Sequence, residues 1–135
     1  MGKDKLRKFR ENEQMQNVVE PATEEVRFGL GLKGNWAQEQ FGNDHGIVLE
    51  LGCGKGEYTV EHGRRHPERN HIGVDIKGAR LWRGAKTAVA GCASLLLSSS
   101  EKFSAYIFVC EMSSCRGVYY TCNSLARLNC RRLKC

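Results

Sequence analysis

The sequence has no stretch of the ~18 apolar residues that a membrane-spanning helix needs. Its first ten residues are charged and no apolar run follows them, which argues against a secretory signal. Leu6 stands where a myristoylation signal carries Ser or Thr. No internal repeat is visible, so solenoid and propeller architectures drop out. Proline is scarce, with Pro21 and Pro67 alone. Cysteine is nearly missing from the first 90 residues, where Cys53 stands by itself, and the last 45 residues lack aspartate, histidine and proline. Acids are outnumbered, 15 Asp and Glu against 21 Lys and Arg, for a formal net charge of +6. The expectation is a soluble, cytoplasmic protein, no membrane association, and a polyanionic partner such as nucleic acid.

What is present falls into three parts. At 135 residues the chain holds one small domain of about four βα units at ~30 residues each. Residues 1–46 read as a basic N-terminal arm and connector. Lys3, Lys5, Arg7, Lys8 and Arg10 crowd its start, either as a solvated, partly ordered arm or as a phosphate contact. From Pro21 onward its glycines indicate irregular chain, which Trp36 and Phe41 would anchor on the core. Residues 47–90 are the patterned part. Ile47-Val48-Leu49-Glu50-Leu51 reads as a buried parallel strand, residues 56–66 as a helix stopped by Pro67, and His71–Asp75 as a second strand. Residues 77–90 read as a second helix, with Leu81, Ala85, Ala88 and Val89 on one side and Arg80, Arg83 and Lys86 on the other. This βαβ order predicts an α/β fold with a parallel sheet. Residues 91–135 form a Cys/Ser-rich tail in which periodicity fades, although Ala105–Val109 reads as a strand.

The chemistry concentrates where the first strand ends, at Glu50-Leu51-Gly52-Cys53-Gly54-Lys55-Gly56. Glycine suits a sharp turn that a ligand approaches closely, because it lacks Cβ and tolerates positive φ. A ligand there lies beyond the carboxyl end of a strand, at a topological switch point. The spacing Gly52, Gly54, Gly56 is not the dinucleotide fingerprint, which needs glycine at 57, where Glu57 stands. An acid there repels a pyrophosphate. S-adenosylmethionine has no phosphate, and its cationic end suits Glu50. Asp75, at the end of the second strand, suits the two ribose hydroxyls of such a nucleoside. The competing reading makes the bend purely structural and Asp75 a helix N-cap. Cys53 reads as a small side chain tolerated beside a ligand, with a nucleophilic role as the alternative.

Val48 to Thr59, followed by Gly73-Val74-Asp75-Ile76-Lys77-Gly78-Ala79-Arg80, resembles bacterial tRNA (guanine-N7) methyltransferases of the Bacteroidetes type. Met1-Gly2-Lys3 to Phe9, Lys33-Gly34-Asn35-Trp36 and Phe41-Gly42-Asn43-Asp44 extend the resemblance over roughly residues 1–88. It implies a partial Rossmann-like, S-adenosylmethionine-dependent methyltransferase fold, in which 47–90 is the N-terminal half of the cofactor domain. It implies S-adenosyl-L-methionine as cofactor, tRNA as partner, and Glu50 and Asp75 as cofactor contacts, which with Gly52, Gly54 and Gly56 of the turn make up the expected cofactor-binding residues. The family's later acidic cofactor contact, its Pro-Asp-Pro segment with the catalytic Asp, and its Thr-x-x-Glu signature have no counterpart here, so no catalytic residue is assigned and little or no activity is expected of this chain. The abrupt change near residues 88–92 is what a shifted reading frame would produce. A zinc site built from Cys110, Cys115, Cys122, Cys130 and Cys135 is the weaker reading of the tail, because compact C-x₂-C pairs are absent, and no metal is expected. The rival functions are a non-catalytic basic RNA-binding remnant and a methyltransferase for a small molecule.

Overall fold

The structure, a computed structural model, describes residues 2–22, 24–25, 31–32, 34–91, 94–98 and 118–122. Along the chain run α1 (Gly2–Glu13), β1 (Val18–Val19), α2 (Trp36–Phe41), β2 (Ile47–Leu51), α3 (Glu57–Arg65), β3 (Asn70–Asp75), α4 (Gly78–Gly91), β4 (Ser94–Ser98) and β5 (Val118–Cys122). The strands form one sheet in the order β1-β4-β3-β2-β5, and every pairing is parallel. The α/β class and the parallel sheet read from the sequence are thus present.

β2 is an inner strand, between β3 and β5, because it can be buried on both faces. All five of its residues are buried, and only Glu50 among them is polar. β3 lies in register beside it, Ile47 opposite Asn70 through Leu51 opposite Val74. Successive strands step outward from β2 to β3 to β4, and β5 then takes the other side of β2, so the order reverses there. The start of this unit is pinned by side-chain amides. Asn70 donates to Asn43 Oδ1 at 2.8 Å and to the His45 carbonyl at 3.2 Å. Asn43 follows Gly42, which ends α2 in the left-handed region at φ 67°. Trp36 is fully buried, as its anchoring role requires.

Two features differ from the sequence expectations. Residues 2–13 form a helix seated on α4, not a solvated arm. The contact is largely polar, which is why no apolar stripe announces it. Buried Asn12 donates to the Gly78 carbonyl at 2.9 Å, and Trp82 Nε1 donates to Glu11 at 2.6 Å. Just beyond the helix, Asn17 donates to the Ala85 carbonyl at 2.9 Å. Met15 and Val18 close the seam against Cys53, Leu81 and Ala85. The second difference lies in the tail. Its Leu-Ser run supplies β4, with Ser94 opposite His71 and Ser98 opposite Asp75, and residues 118–122 supply β5. The strand expected over Ala105–Val109 lies outside the described residues, as do all tail cysteines except Cys122 in β5.

Candidate ligand site at the glycine bend

The bend occupies the carboxyl end of β2, at the strand where the sheet order reverses. Gly52, Gly54 and Gly56 all have positive φ, at 72°, 60° and 71°. An L-residue there would be strained by about 1–2 kcal/mol. The Gly52 and Cys53 amides both donate to the Val74 carbonyl, at 2.8 and 3.0 Å, which folds the bend over the end of β3. The Gly56 amide donates back to the Cys53 carbonyl at 2.9 Å, and α3 starts from Gly56. A Cβ built at Gly52 or Gly54 would meet nothing within 4 Å. Among the described residues, the room a side chain would take at Gly52 and Gly54 is therefore open, and these glycines serve backbone conformation and clearance rather than packing.

Glu50 and Asp75 share one side of this bend. Glu50 pairs with Gly73, and Asp75 is two residues further along β3, so both side chains lie on the same sheet face. Between them stands Gly73, which carries no side chain. Asp75 braces the bend from below. Its Oδ2 accepts the Gly54 amide at 2.9 Å and its Oδ1 accepts the Lys77 amide at 2.8 Å. The second bond is an Asx-type turn leading into α4, whose first intrahelical acceptor is the Lys77 carbonyl. Asp75 thus sits before the cap position rather than at it. Each carboxylate oxygen retains a lone pair for a hydroxyl donor.

Glu50 is 4% exposed. Its Oε2 accepts the Thr59 hydroxyl, and the Thr59 amide also donates to the carboxylate. It thereby satisfies the first turn of α3, where Gly56 offers no side-chain cap. Burial pushes its pKa up, and the two Thr59 bonds oppose that rise without cancelling it. A cation at its free edge would repay the desolvation. Cys53 is also buried, and its thiol is pushed well above the usual range, first by burial and then by the nearby Glu50 and Asp75 carboxylates. A thiol held protonated is a poor nucleophile, so the structure favours the small-side-chain reading. The same two carboxylates acting on one thiol also show that both lie close around the bend.

Thr59 and Ile76 are functional candidates that sequence reasoning passed over. Thr59 occupies the inward face of the helix after the bend, the only signal available for it. Ile76 is 62% exposed directly after Asp75, an apolar residue where strand alternation ends. Among the described residues, no group of three or more His, Cys, Asp and Glu is arranged to hold a metal ion, and no helix is long and apolar enough to cross a membrane.

Fold and bend together define a class: a parallel α/β protein with a glycine-lined, acid-flanked bend at the end of an inner strand. No family model matches the chain. Curated relatives narrow the class. The chain is 61% identical over 88 residues to the tRNA (guanine-N(7)-)-methyltransferase of Christiangramia forsetii, covering 64% of this chain and 39% of that protein. It is 56% identical over 88 residues to the enzyme of that name from Bacteroides thetaiotaomicron, covering 63% and 34%. Against the Porphyromonas gingivalis enzyme it is 62% identical over 61 residues, covering 45% and 25%. The chain is therefore similar to Bacteroidetes tRNA (guanine-N7) methyltransferases, and its matched part spans a quarter to two fifths of their length.

Proposed function

We propose that this chain carries the S-adenosyl-L-methionine-binding part of a cytoplasmic tRNA (guanine-N7) methyltransferase, built on a Rossmann-like sheet. The observation that carries the reading is the open space above Gly52 and Gly54, flanked on one sheet face by Glu50 and Asp75. The donor set fits the cofactor's chemistry. Asp75 has lone pairs for two ribose hydroxyls, buried Glu50 suits a cationic group, Ile76 offers apolar surface to a base, and Glu57 beside the bend disfavours a pyrophosphate. When bound, S-adenosyl-L-methionine supplies a methyl group activated by its sulfonium.

The residues of this chain contribute binding and orientation. Guanine N7 has a free lone pair, so no strong base is required to create the nucleophile. The protein's task is alignment, and a misplacement of ~1 Å costs on the order of a hundredfold in rate. The bend would hold the cofactor against backbone that cannot shift without breaking the Val74 and Asp75 hydrogen bonds. Asp75 would accept from the ribose hydroxyls, and Glu50, locked by Thr59, would face the cationic end. The protonated Cys53 thiol takes no part in transfer.

Binding, rather than turnover, tests this reading. Isothermal titration of the 135-residue protein with S-adenosyl-L-methionine and, separately, with NAD should show one site for the former and none for the latter. Preference for NAD, or no binding of either, overturns it. Addition of tRNA and a labelled methyl donor then tests the substrate.

A further inference from the structure

We propose that the outward arc of α4, centred on Arg80 and Arg83, is the surface that receives the phosphate backbone of the tRNA. The inference rests on the function proposed above and adds where the substrate docks.

α4 buries Leu81, Ala85 and Ala88 against the sheet. At 100° per residue, Arg80 and Arg83 lie roughly 100° and 160° around the helix from Leu81. Both are exposed. The helix sequence, Gly-Ala-Arg-Leu-Trp-Arg-Gly-Ala-Lys-Thr-Ala-Val-Ala-Gly, contains no acid. Exposed Lys77 stands just before it, next to Asp75. Lys77, Arg80 and Arg83 therefore form a row of cations, one every third residue, over about 9 Å of helix axis. The row begins beside the bend and leads away from it.

Three basic groups that flank this helix are already compensated. Arg7 pairs with Asp4 and Glu11, Lys8 with Asp4, and Lys86 with Glu11, all at 2.7–2.8 Å. Arg7, Lys8 and Lys86 also sit 4.5–5.2 Å from the Trp82 ring centre. They hold α1 to α4. Arg80 and Arg83 have no such duty: among the described residues, no carboxylate pairs with either. Unpaired guanidinium groups beside a compensated cluster are the local excess charge, and they match phosphate bidentately. A row of this length spans neighbouring phosphates of a nucleic-acid strand. Thr87, also exposed, completes the arc, and no large apolar side chain lies between the two arginines to enter a bilayer, which favours RNA over an anionic lipid surface.

The test is fluorescence-anisotropy titration of a labelled, unmodified tRNA transcript with the full chain across a salt series. The pair Arg80→Gln/Arg83→Gln is compared with a charge-matched control, Arg64→Gln/Arg65→Gln, on the exposed side of α3. Circular dichroism confirms that both fold. The α4 pair should lower the log Kd against log salt slope by about 1.4–1.8 and weaken binding roughly tenfold or more at 0.1 M salt. The control should change both far less. Equal losses in the two pairs would reduce the effect to net charge and overturn the proposal. So would an α4 pair that binds like wild type, or a wild type that binds anionic vesicles and not tRNA. S-adenosyl-L-methionine titration of the same α4 pair should be unchanged. Failure of the cofactor to bind wild type, with the α4 tRNA effect intact, would sink the function reading and leave this surface standing.

Discussion

His71 should make the fold acid-labile at a pH above that at which the ion-paired carboxylates act. It lies in β3, is 1% exposed, and its Nε2 is 2.8 Å from His62 Nδ1 on α3. Burial and the neighbouring His62 lower its pKa from 6.5 to about 4. A hydrogen bond to the Arg69 backbone favours its protonated form, and is outweighed. His62 is lowered too, first by burial and then by His66 and Arg69, while Glu68 pulls the other way. Between pH 6.5 and 4 the unfolded chain therefore binds a proton at this position that the folded chain refuses. Stability falls as pH drops through that window and His71's share levels off below it. For so buried a group this lowering is worth on the order of 3 kcal/mol. Glu50, whose pKa is raised, contributes with the opposite sign, because its protonation on acidification is easier in the folded state. Asp4 and Glu11, held at about 2 by lysine and arginine partners and, for Glu11, by Trp82 as well, lose their contribution only below pH 4.5. Urea denaturation of wild type and His71→Leu at pH 7.5, 6.5, 5.5 and 4.5 isolates the histidine. Wild type should lose about 2–3 kcal/mol more than the variant across the series. Parallel curves for the two proteins would refute the buried-neutral histidine.

Two further outcomes follow from the bend. Gly54→Ala should cost only about 1–2 kcal/mol in urea denaturation, since the added Cβ meets nothing and only the φ of 60° is strained, yet it should weaken S-adenosyl-L-methionine at least tenfold by calorimetry because the methyl enters the ligand's space. Thr59→Val keeps shape but removes the hydroxyl from buried Glu50. It should destabilise the fold by about 1.5–3 kcal/mol at pH 7.5 in the same assay, and by less at pH 4.5, where Glu50 is more readily protonated.

The parts of the fold that were legible in the sequence are those whose pattern serves a single purpose. β2 is a continuous apolar run because it is buried on both faces. α4 shows its Leu81, Ala85, Ala88 stripe because that stripe alone meets the sheet. The bend was legible because Gly52, Gly54 and Gly56 all need positive φ and only glycine takes it freely. α1 was not legible because its seat on α4 is made by Asn12, Glu11 and cations over Trp82, a polar contact that reads as a solvated face. β4 was hidden in Leu95-Leu96-Leu97-Ser98, too short and too uniform to separate from low complexity. β5 carries no alternation that sets it apart. At the site, Glu50 and Asp75 could be picked out by position, but not that Thr59 locks the one and the Gly54 amide holds the other, since those bonds join residues 9 and 21 apart in the chain.

The proposed site depends on Asp75 gripping a nucleoside above the glycine bend. Calorimetric titration of S-adenosyl-L-methionine into wild type and Asp75→Asn measures this directly. Wild type should bind tightly and the variant should lose about 1.5–3 kcal/mol, roughly ten- to hundredfold, while remaining folded by circular dichroism. Equal affinity of the two proteins would contradict it.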